Sequence, residues 1–278
     1  MHNRRDLMRL MALGAASLPF AGACATSSVQ PTASAPPPVE PHATAEAAIP
    51  NMMGSESIAM LLYPGFTALD LVGPQYFFAG LMGAKVHLVT NQETLAPVMS
   101  DTRMAITPTT TIADLSTPVD VLFVPGAGQG VLNAMEHAPT LTFLKDKAAN
   151  AKWKTSVCTG SLLLAAAGLL KGRKATSHWV ARDKLAAFGA IPVDQRVVRD
   201  GDIITGAGVS AGIDMALLTV EALRGRPYAQ ALMLQAEYAP VPPFAGGRPE
   251  TTPPAIAGAI SGLFAPLVAG IDAIAARA

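Results

Sequence analysis

Lys154-Thr-Ser-Val-Cys158-Thr159-Gly160-Ser161 joins a short β-prone segment to the apolar run 162–170, which is typical of a helix. The segment ends in Cys158, and a glycine with small neighbours begins the helix. Such a turn presents a nucleophile at the positive end of a helix dipole. Because a helix N-terminus lowers the pKa of a thiol, the pattern predicts that Cys158 is a reactive thiolate. The alternative is a buried cysteine that serves only packing.

Near-continuous apolar segments alternate with helical segments along the chain. The predicted strands are 57–62, 85–90, 119–124, 154–158 and a hairpin over 196–205, and the predicted helices are 75–82, 131–149, 210–223 and 228–237. This alternation is typical of an α/β fold with a mostly parallel sheet covered on both faces. In such a sheet, ligands bind beyond the carboxyl ends of the strands. Three loops there, 63–70, 125–130 and 158–161, predict a site.

Asp70 follows the first predicted strand and lies just before a helix that Pro74 suits as a first-turn residue. One interpretation is a carboxylate that only caps the turn. The other is a general acid or base beside the thiol, with its pKa raised by a narrow cleft.

The loop that contains Gly126, Ala127 and Gly128 lies between a predicted strand and a predicted helix. Its backbone N–H groups, with the amide of Thr159, are candidates for stabilising a developing negative charge. The alternative is a glycine turn required only by geometry. The spacing does not match a dinucleotide-binding loop.

His178 is the only histidine after Cys158 in the sequence. It either lines the pocket or packs in the core. Every acidic residue after Cys158 also follows His178, so the order of an α/β-hydrolase triad is absent. No metal-ligand spacing occurs, and we predict no metal site.

Residues 1–24 are typical of an export signal, with Arg4-Arg5, an apolar stretch over 10–20 and small residues before Cys24. They resemble both a twin-arginine signal and a lipoprotein cleavage box that would lipidate Cys24. Residues 25–53 are rich in Pro, Ala, Ser and Thr and predict a linker. We therefore expect an exported, periplasmic protein, tethered at Cys24 or cleaved from its signal.

The remaining chain divides into a predicted domain over 54–247 and an apolar helical tail over 248–278. Pro266 and Asp272 interrupt the tail, so we predict a helix that packs on the domain or on a second subunit rather than a membrane span. The formal net charge is zero, which gives no basic face for nucleic acid.

Six segments in this order resemble the DJ-1/PfpI superfamily of class I glutamine-amidotransferase-like domains, and within it the isonitrile hydratase branch. The segments are 63–74, 121–126, 156–163, 168–179, 210–216 and 237–244. The resemblance implies a flavodoxin-like three-layer sandwich with a nucleophile on a sharp turn, and a homodimer. It also implies a small-molecule substrate, no cofactor, and a catalytic Cys158 supported by Asp70 and Thr159.

The activity that this resemblance implies is hydration of an isonitrile to an N-substituted formamide through a thioimidate on Cys158, with Asp70 as general acid and base. Two alternatives stay open. One is a glyoxalase-like or deglycase-like enzyme acting on aldehydes. The other is a periplasmic redox or ligand sensor without turnover. Too few residues follow Tyr238 for a DNA-binding helix pair, so a transcription factor is not expected.

Overall fold

Strands with apolar side chains on both faces form the centre of the molecule. In the computed structural model, which describes residues 47–277, Ile58, Met60 and Leu62 enter one hydrophobic cluster, and Ala59 and Leu61 enter another. Successive side chains of a strand point to opposite faces of its sheet. A strand that is apolar at every position therefore needs cover on both sides, and it has this cover here.

The described residues contain the following elements. The strands are β1 (Ser57–Leu62), β2 (Lys85–Thr90), β3 (Val98–Met99), β4 (Ala105–Ile106), β5 (Thr110–Thr111), β6 (Val121–Val124), β7 (Trp153–Val157), β8 (Lys174–Ala175), β9 (Ile191–Pro192), β10 (Val197–Asp200) and β11 (Ile203–Gly206). The α-helices are α1 (Ala68–Ala79), α2 (Gln129–Glu136), α3 (Ala138–Asn150), α4 (Gly160–Ala166), α5 (Ala211–Arg224), α6 (Arg226–Gln235) and α7 (Pro254–Ala275). Two 3-10 helices span Arg182–Phe188 and Pro249–Thr251.

The main sheet has seven strands in the order β10-β11-β7-β6-β1-β2-β5. All neighbours in it are parallel except β10 and β11, which form the predicted antiparallel hairpin at one edge. Helices α1, α5 and α6 cover one face, and α2, α3, α4 and the 3-10 helix Arg182–Phe188 cover the other. The predicted three-layer α/β fold with a mostly parallel sheet is confirmed.

Helix α1 begins seven residues earlier than the predicted helix over 75–82. Pro74 was predicted to lie in its first turn, but it lies inside the helix. A proline at this position removes the bond to the carbonyl of Asp70, and the buried face of α1 holds the helix together across this gap. The error matters because it moves Asp70 from a loop into the first turn of a helix.

Two other predicted elements differ from the structure. The helix over 131–149 is two helices, α2 and α3, separated at His137, whose extended backbone ends one and precedes the other. The short strands β3, β4, β5, β8 and β9 were not predicted, since two-residue segments carry no periodic signal.

The folded domain begins earlier than residue 54. The Arg224 guanidinium is 3% exposed and donates to the carboxylate of Glu56 and to the carbonyls of Asn51 and Met52. Ile49 packs against the same hydrophobic cluster. A buried arginine requires such acceptors. The predicted boundary at 54 is therefore wrong, because residues 49–53 help to satisfy this charge.

Helix α7 runs through Pro266 without ending. Leu267 and Ile271 are buried against the domain, and Asp272 forms an ion pair with Lys184 at 2.7 Å. Of the two partners predicted for the tail, the domain and a second subunit, these contacts involve the domain. With a mean hydropathy of 1.8 over eighteen residues, α7 is also long and apolar enough for a membrane span by length and composition alone. Pro266 and Asp272, which interrupt the apolar stretch of the sequence, both lie inside this helix.

Candidate active site

Cys158 occupies a strained turn between β7 and α4. Its φ angle is +58°, in the left-handed region that residues with a side chain rarely adopt. A Cβ on Gly160 would lie 2.3 Å from the carbonyl oxygen of Val124, so the chain can turn this tightly only with glycine there. Strain of this kind is concentrated at functional sites, where surrounding contacts hold it in place.

Hydrogen bonds fix the backbone of Cys158 on both sides. Its N–H donates to the carbonyls of Gly206 and Ala207, at 3.1 and 2.6 Å. Its carbonyl accepts from the hydroxyl of Ser177 at 2.9 Å and from that of Ser161 at 3.2 Å. The end of β11 and the segment after β8 therefore hold the cysteine in its unusual conformation.

Asp70 is completely buried in the first turn of α1, and its Oδ2 accepts a hydrogen bond from the backbone N–H of Gly126 at 2.8 Å. The helix is capped by another residue, since Asp101 Oδ1 accepts from the N–H of Ala68 at 3.0 Å. Within residues 47–277, Asp70 Oδ1 has no hydrogen-bond donor from nitrogen or oxygen. The capping interpretation of Asp70 is therefore wrong, and its free oxygen belongs to the site.

Thr159 connects the cysteine turn to the loop after β6. Its Oγ1 donates to the carbonyl of Ala127 at 2.7 Å and accepts from the N–H of Ala127 at 2.8 Å. A Cβ on Gly126 would lie 2.6 Å from the Thr159 nitrogen and 2.8 Å from Asp70 Oδ2. Only glycine allows the loop to approach both residues, so the three candidate loops do meet at one point.

These bonds correct the prediction for the backbone amides of Gly126 and Ala127. Both N–H groups already donate to side chains, to Asp70 and Thr159 respectively, and are not free to stabilise charge on a substrate. The amide of Thr159 instead donates to the Cys158 thiol. Gly128, at the N-terminus of α2, has open space where a Cβ would lie, and its role in substrate binding stays a prediction.

Burial controls the acidity of both groups at the site. It raises the pKa of Asp70 to about 7, although hydrogen bonds from Gly126 and Cys158 lower it. Burial and the charge of Asp70 raise the pKa of Cys158 well above its ordinary value, against hydrogen bonds from the amides of Val209 and Thr159. The predicted lowering of the thiol pKa by the helix is wrong because desolvation outweighs these N–H groups.

The pair therefore loses its first proton near neutral pH, and that proton comes from Asp70. With Asp70 ionised, the thiol keeps its proton, and its deprotonation needs transfer to the carboxylate. A carboxyl group with a pKa of about 7 can accept that proton and return it to a reacting atom. The geometry supports nucleophilic catalysis in which the base is a carboxylate rather than a histidine.

A cavity of about 380 Å³ is lined by neighbours of Cys158, although neither Cys158 nor Asp70 is part of its wall. The wall includes Ser177 and Ala207, which bond the backbone of Cys158, together with Val209 and His178. His178 both lines the cavity and packs on Phe264 of α7, with ring centroids 5.2 Å apart. Burial lowers the pKa of His178 to about 4, so it is neutral at physiological pH.

A larger cavity, of about 850 Å³, lies elsewhere and is lined by His137, Phe143, Lys147 and their neighbours. It includes none of the predicted site residues, and we assign the site to the smaller cavity because its wall includes His178 and two residues that bond the backbone of Cys158. Among residues 47–277, no group of three or more His, Cys, Asp or Glu could hold a metal ion.

A buried cysteine on a strained strand-to-helix turn, beside a carboxylate at the carboxyl edge of a mostly parallel sheet, defines a class of flavodoxin-like proteins with a cysteine site. The DJ-1/PfpI family model matches residues 56–222. The chain belongs to the DJ-1/PfpI family.

Individual relatives agree with this assignment. The isonitrile hydratase of Pseudomonas putida is 50% identical over 199 residues, which are 72% of this chain and 86% of that protein. The crystal structure of a ThiJ/PfpI family protein from Pseudomonas syringae is 48% identical with a TM-score of 0.80, and covers 88% of this chain and 98% of that chain. The Parkinson disease protein 7 homolog of Danio rerio is 31% identical over 132 residues, which are 46% of this chain and 70% of that protein.

Sequence reasoning missed Ser177, Ala207 and Val209 as parts of the site. Ser177 lies next to His178 in a segment that was already singled out, and this proximity is a usable signal. Ala207 and Val209 act through backbone groups after β11, which is also a strand with its carboxyl end at this edge. Treating the loop after every parallel strand as a candidate would have found them.

The raised pKa of Asp70 predicts how stability depends on pH. The folded state prefers the protonated carboxyl, so its stabilising effect is complete below about pH 4 and is lost as pH rises to about 7. Asp70→Asn cannot ionise and keeps an acceptor for Gly126. We expect the unfolding free energy of this variant, relative to wild type, to rise between pH 4 and 7 by up to about 4 kcal/mol and then to level off.

Urea unfolding across this pH range measures the difference. Asp146→Asn, which removes an exposed carboxylate, is the matched control. A difference in unfolding free energy between wild type and Asp70→Asn that is constant from pH 4 to 8 would contradict a raised pKa for Asp70.

Proposed function

We propose that the protein is an isonitrile hydratase-like enzyme that converts an isonitrile and water to an N-substituted formamide. The observation that carries the proposal is the buried Cys158–Asp70 pair, in which a thiol hydrogen-bonds a carboxyl whose pKa is raised to about 7. The half-identical isonitrile hydratase of Pseudomonas putida supports the choice of reaction. The terminal carbon of an isonitrile accepts both a nucleophile and a proton, and these two groups supply both.

In the first step, the Cys158 sulfur attacks the terminal carbon of R–N≡C as Asp70 accepts the thiol proton. Asp70 then delivers that proton to the same carbon, which gives the thioimidate R–N=CH–S–Cys158. The buried site suits this exchange because a proton held between two desolvated groups is not lost to water. Thr159 holds the turn against the loop of Ala127 while the sulfur changes its bonding.

In the second step, water adds across the C=N bond with Asp70 as the base, giving R–NH–CH(OH)–S–Cys158. The C–S bond then breaks, the hydroxyl proton leaves to restore the thiol, and R–NH–CHO is released. The sum is R–N≡C plus water to a formamide, with no oxidation or reduction. Forming and breaking the C–S bond to Cys158 divides one difficult addition into two easier steps.

The proposal predicts that cyclohexyl isonitrile yields N-cyclohexylformamide with the wild-type protein. We expect Cys158→Ser to lower kcat/KM more than about a thousandfold and Asp70→Asn to lower it about a hundredfold or more. Thr159→Val should reduce the rate, and Thr159→Ser, which keeps the hydroxyl, should restore it. Chromatography of the formamide measures each rate, and Asp146→Asn is the control.

The isonitrile assignment would be overturned if folded wild-type protein forms no formamide while iodoacetamide still alkylates Cys158. Turnover of a 2-oxoaldehyde by that protein would support the glyoxalase-like alternative. Oxidation of Cys158 without turnover of either substrate would support a sensor.

We further propose that the protein is exported and tethered to a membrane through Cys24. The residues concerned lie outside the described part of the chain, and the support is the sequence pattern of residues 1–24 with the linker that follows. We expect wild type in the membrane fraction and Cys24→Ala in the soluble periplasmic fraction. Immunoblots of fractionated cells measure this, with Cys158→Ala as the control. Wild type in the cytosol would contradict export.

We also propose a homodimer in which a second copy covers α7. Ile256, Ile260 and Leu263 are exposed at spacings that place them along one side of the helix. We expect wild type to sediment as a dimer and Leu263→Lys to dissociate it. Leu234→Lys, which adds a charge at an exposed leucine of α6, is the control. A wild-type monomer at micromolar concentration would contradict the proposal.

A further inference from the structure

Tyr63 is a buried residue beside the site that takes no part in the two proposed steps. It follows β1 directly, is 1% exposed, and donates its hydroxyl to the carbonyl of Pro125 at 2.8 Å. Because β1 and β6 are parallel neighbours, the loops after them meet at the same edge of the sheet. Burial, and then the charges of Asp70 and Cys158, raise the pKa of Tyr63 well above its ordinary value, so the phenol keeps its proton.

The carbonyl that Tyr63 binds and the N–H that Asp70 binds belong to one peptide group. This group joins Pro125 to Gly126, and its atoms lie close to a plane. The hydroxyl of Tyr63 donates to its oxygen at 2.8 Å, and its N–H donates to Asp70 Oδ2 at 2.8 Å. The carbonyl and the N–H of a trans peptide point in opposite directions, so the phenol and the carboxyl hold the group from both sides.

A bond at one end of a peptide group changes the donor at the other end. A hydrogen bond to the carbonyl oxygen draws electron density from the nitrogen and makes the N–H a stronger donor. Hydrogen bonds linked in this way strengthen one another by about 10–30%. The bond from Gly126 is the largest effect that opposes burial in setting the pKa of Asp70. The hydroxyl of Tyr63 therefore acts on the carboxyl of Asp70 through this peptide.

Two further ionisable groups act on Asp70. Cys158 hydrogen-bonds it, and the charge of Asp101 adds to the effect of burial in raising its pKa. Cys158 changes its bonding during the proposed reaction, and Asp101 disfavours ionisation of Asp70. The peptide that Tyr63 binds is therefore a constant source of stabilisation for the carboxylate.

Resting on the proposed function, we infer that Tyr63 is a positioning residue for the reaction, which orients and polarises the peptide that binds Asp70. It stabilises the carboxylate that accepts the proton of Cys158 in the first step. The phenol keeps its own proton throughout, and Asp70 alone carries the proton exchanged with the thiol. Without the hydroxyl, the buried carbonyl of Pro125 loses a donor, and the N–H of Gly126 binds the carboxylate less strongly.

The test is Tyr63→Phe in the full-length protein, which removes the hydroxyl and keeps the ring. We expect the titration midpoint of the Asp70 carboxyl, followed by ¹³C NMR and assigned with Asp70→Asn, to rise by about half a pH unit. The value of kcat/KM for cyclohexyl isonitrile should fall about threefold near pH 6 and stay within about twofold of wild type near pH 9. Tyr228→Phe is the matched control, because this buried hydroxyl also donates to a carbonyl, that of Gly80.

Replacement of Tyr63 by 3-fluorotyrosine changes the hydroxyl in the opposite sense. Fluorine makes the phenol a stronger donor, so the Asp70 midpoint should fall below that of wild type. Loss of a nearby polar group would by itself raise the midpoint in Tyr63→Phe, but it would not lower the midpoint with fluorotyrosine. Because this variant keeps both the ring and the hydroxyl, it decides the inference if Tyr63→Phe does not fold.

The outcomes separate this inference from the reaction itself. An Asp70 midpoint that is unchanged in Tyr63→Phe, or that does not fall with fluorotyrosine, overturns the inference. An equal loss of kcat/KM at every pH assigns Tyr63 a role in packing and also overturns it. If wild type hydrates no isonitrile, the proposed function fails and the NMR midpoints decide the inference alone. Opposite shifts in the two variants then support control of Asp70 by Tyr63.

Discussion

The burial of a carboxyl and a thiol in contact with each other is the constraint on which the site depends. Asp70 and Cys158 are both removed from water, and desolvation raises the pKa of each. Neither acid would be a strong catalyst alone, since a protonated thiol is a poor nucleophile and an ordinary carboxylate a weak base. Together they place a thiol beside a carboxyl that can accept its proton near neutral pH.

This pair exists only because three loops converge without side chains between them. Gly126 brings the loop after β6 against Asp70 and Thr159, and Gly160 lets the turn after β7 pass the carbonyl of Val124. A methyl group at either glycine would enter space already filled by backbone or by the carboxylate of Asp70. The Thr159 hydroxyl, with two bonds to Ala127, then joins the loops. The positive φ of Cys158 is the local cost of this convergence, and the bonds from Ser177 and to Ala207 offset it.

The sequence predicted the central sheet well, because the sheet depends on strong local patterns. Apolar runs that bury both faces identified β1, β2, β6 and β7, and the rule that sites lie at carboxyl ends placed Cys158 and Asp70 together. The predictions from sequence failed for features that depend on residues distant along the chain. Pro74 was predicted to lie in the first turn of a helix. It lies inside α1, which packing holds together on both sides of the proline. The thiol pKa was expected to fall because the helix N-terminus is visible in sequence, whereas the surrounding desolvation is not. The amides of Gly126 and Ala127 were assigned to substrate because their side-chain acceptors come from distant segments.

The tail lines the cavity near the site but lies outside the part of the chain that the family model matches. The family match ends at residue 222, yet Arg248 and its neighbours line the cavity and Phe264 packs on His178. The chemistry therefore comes from the part shared across the family, and the outer wall comes from a part that the family model does not cover. A change in the tail would therefore alter this wall without moving the Cys158–Asp70 pair, because the two lie on segments that can vary independently.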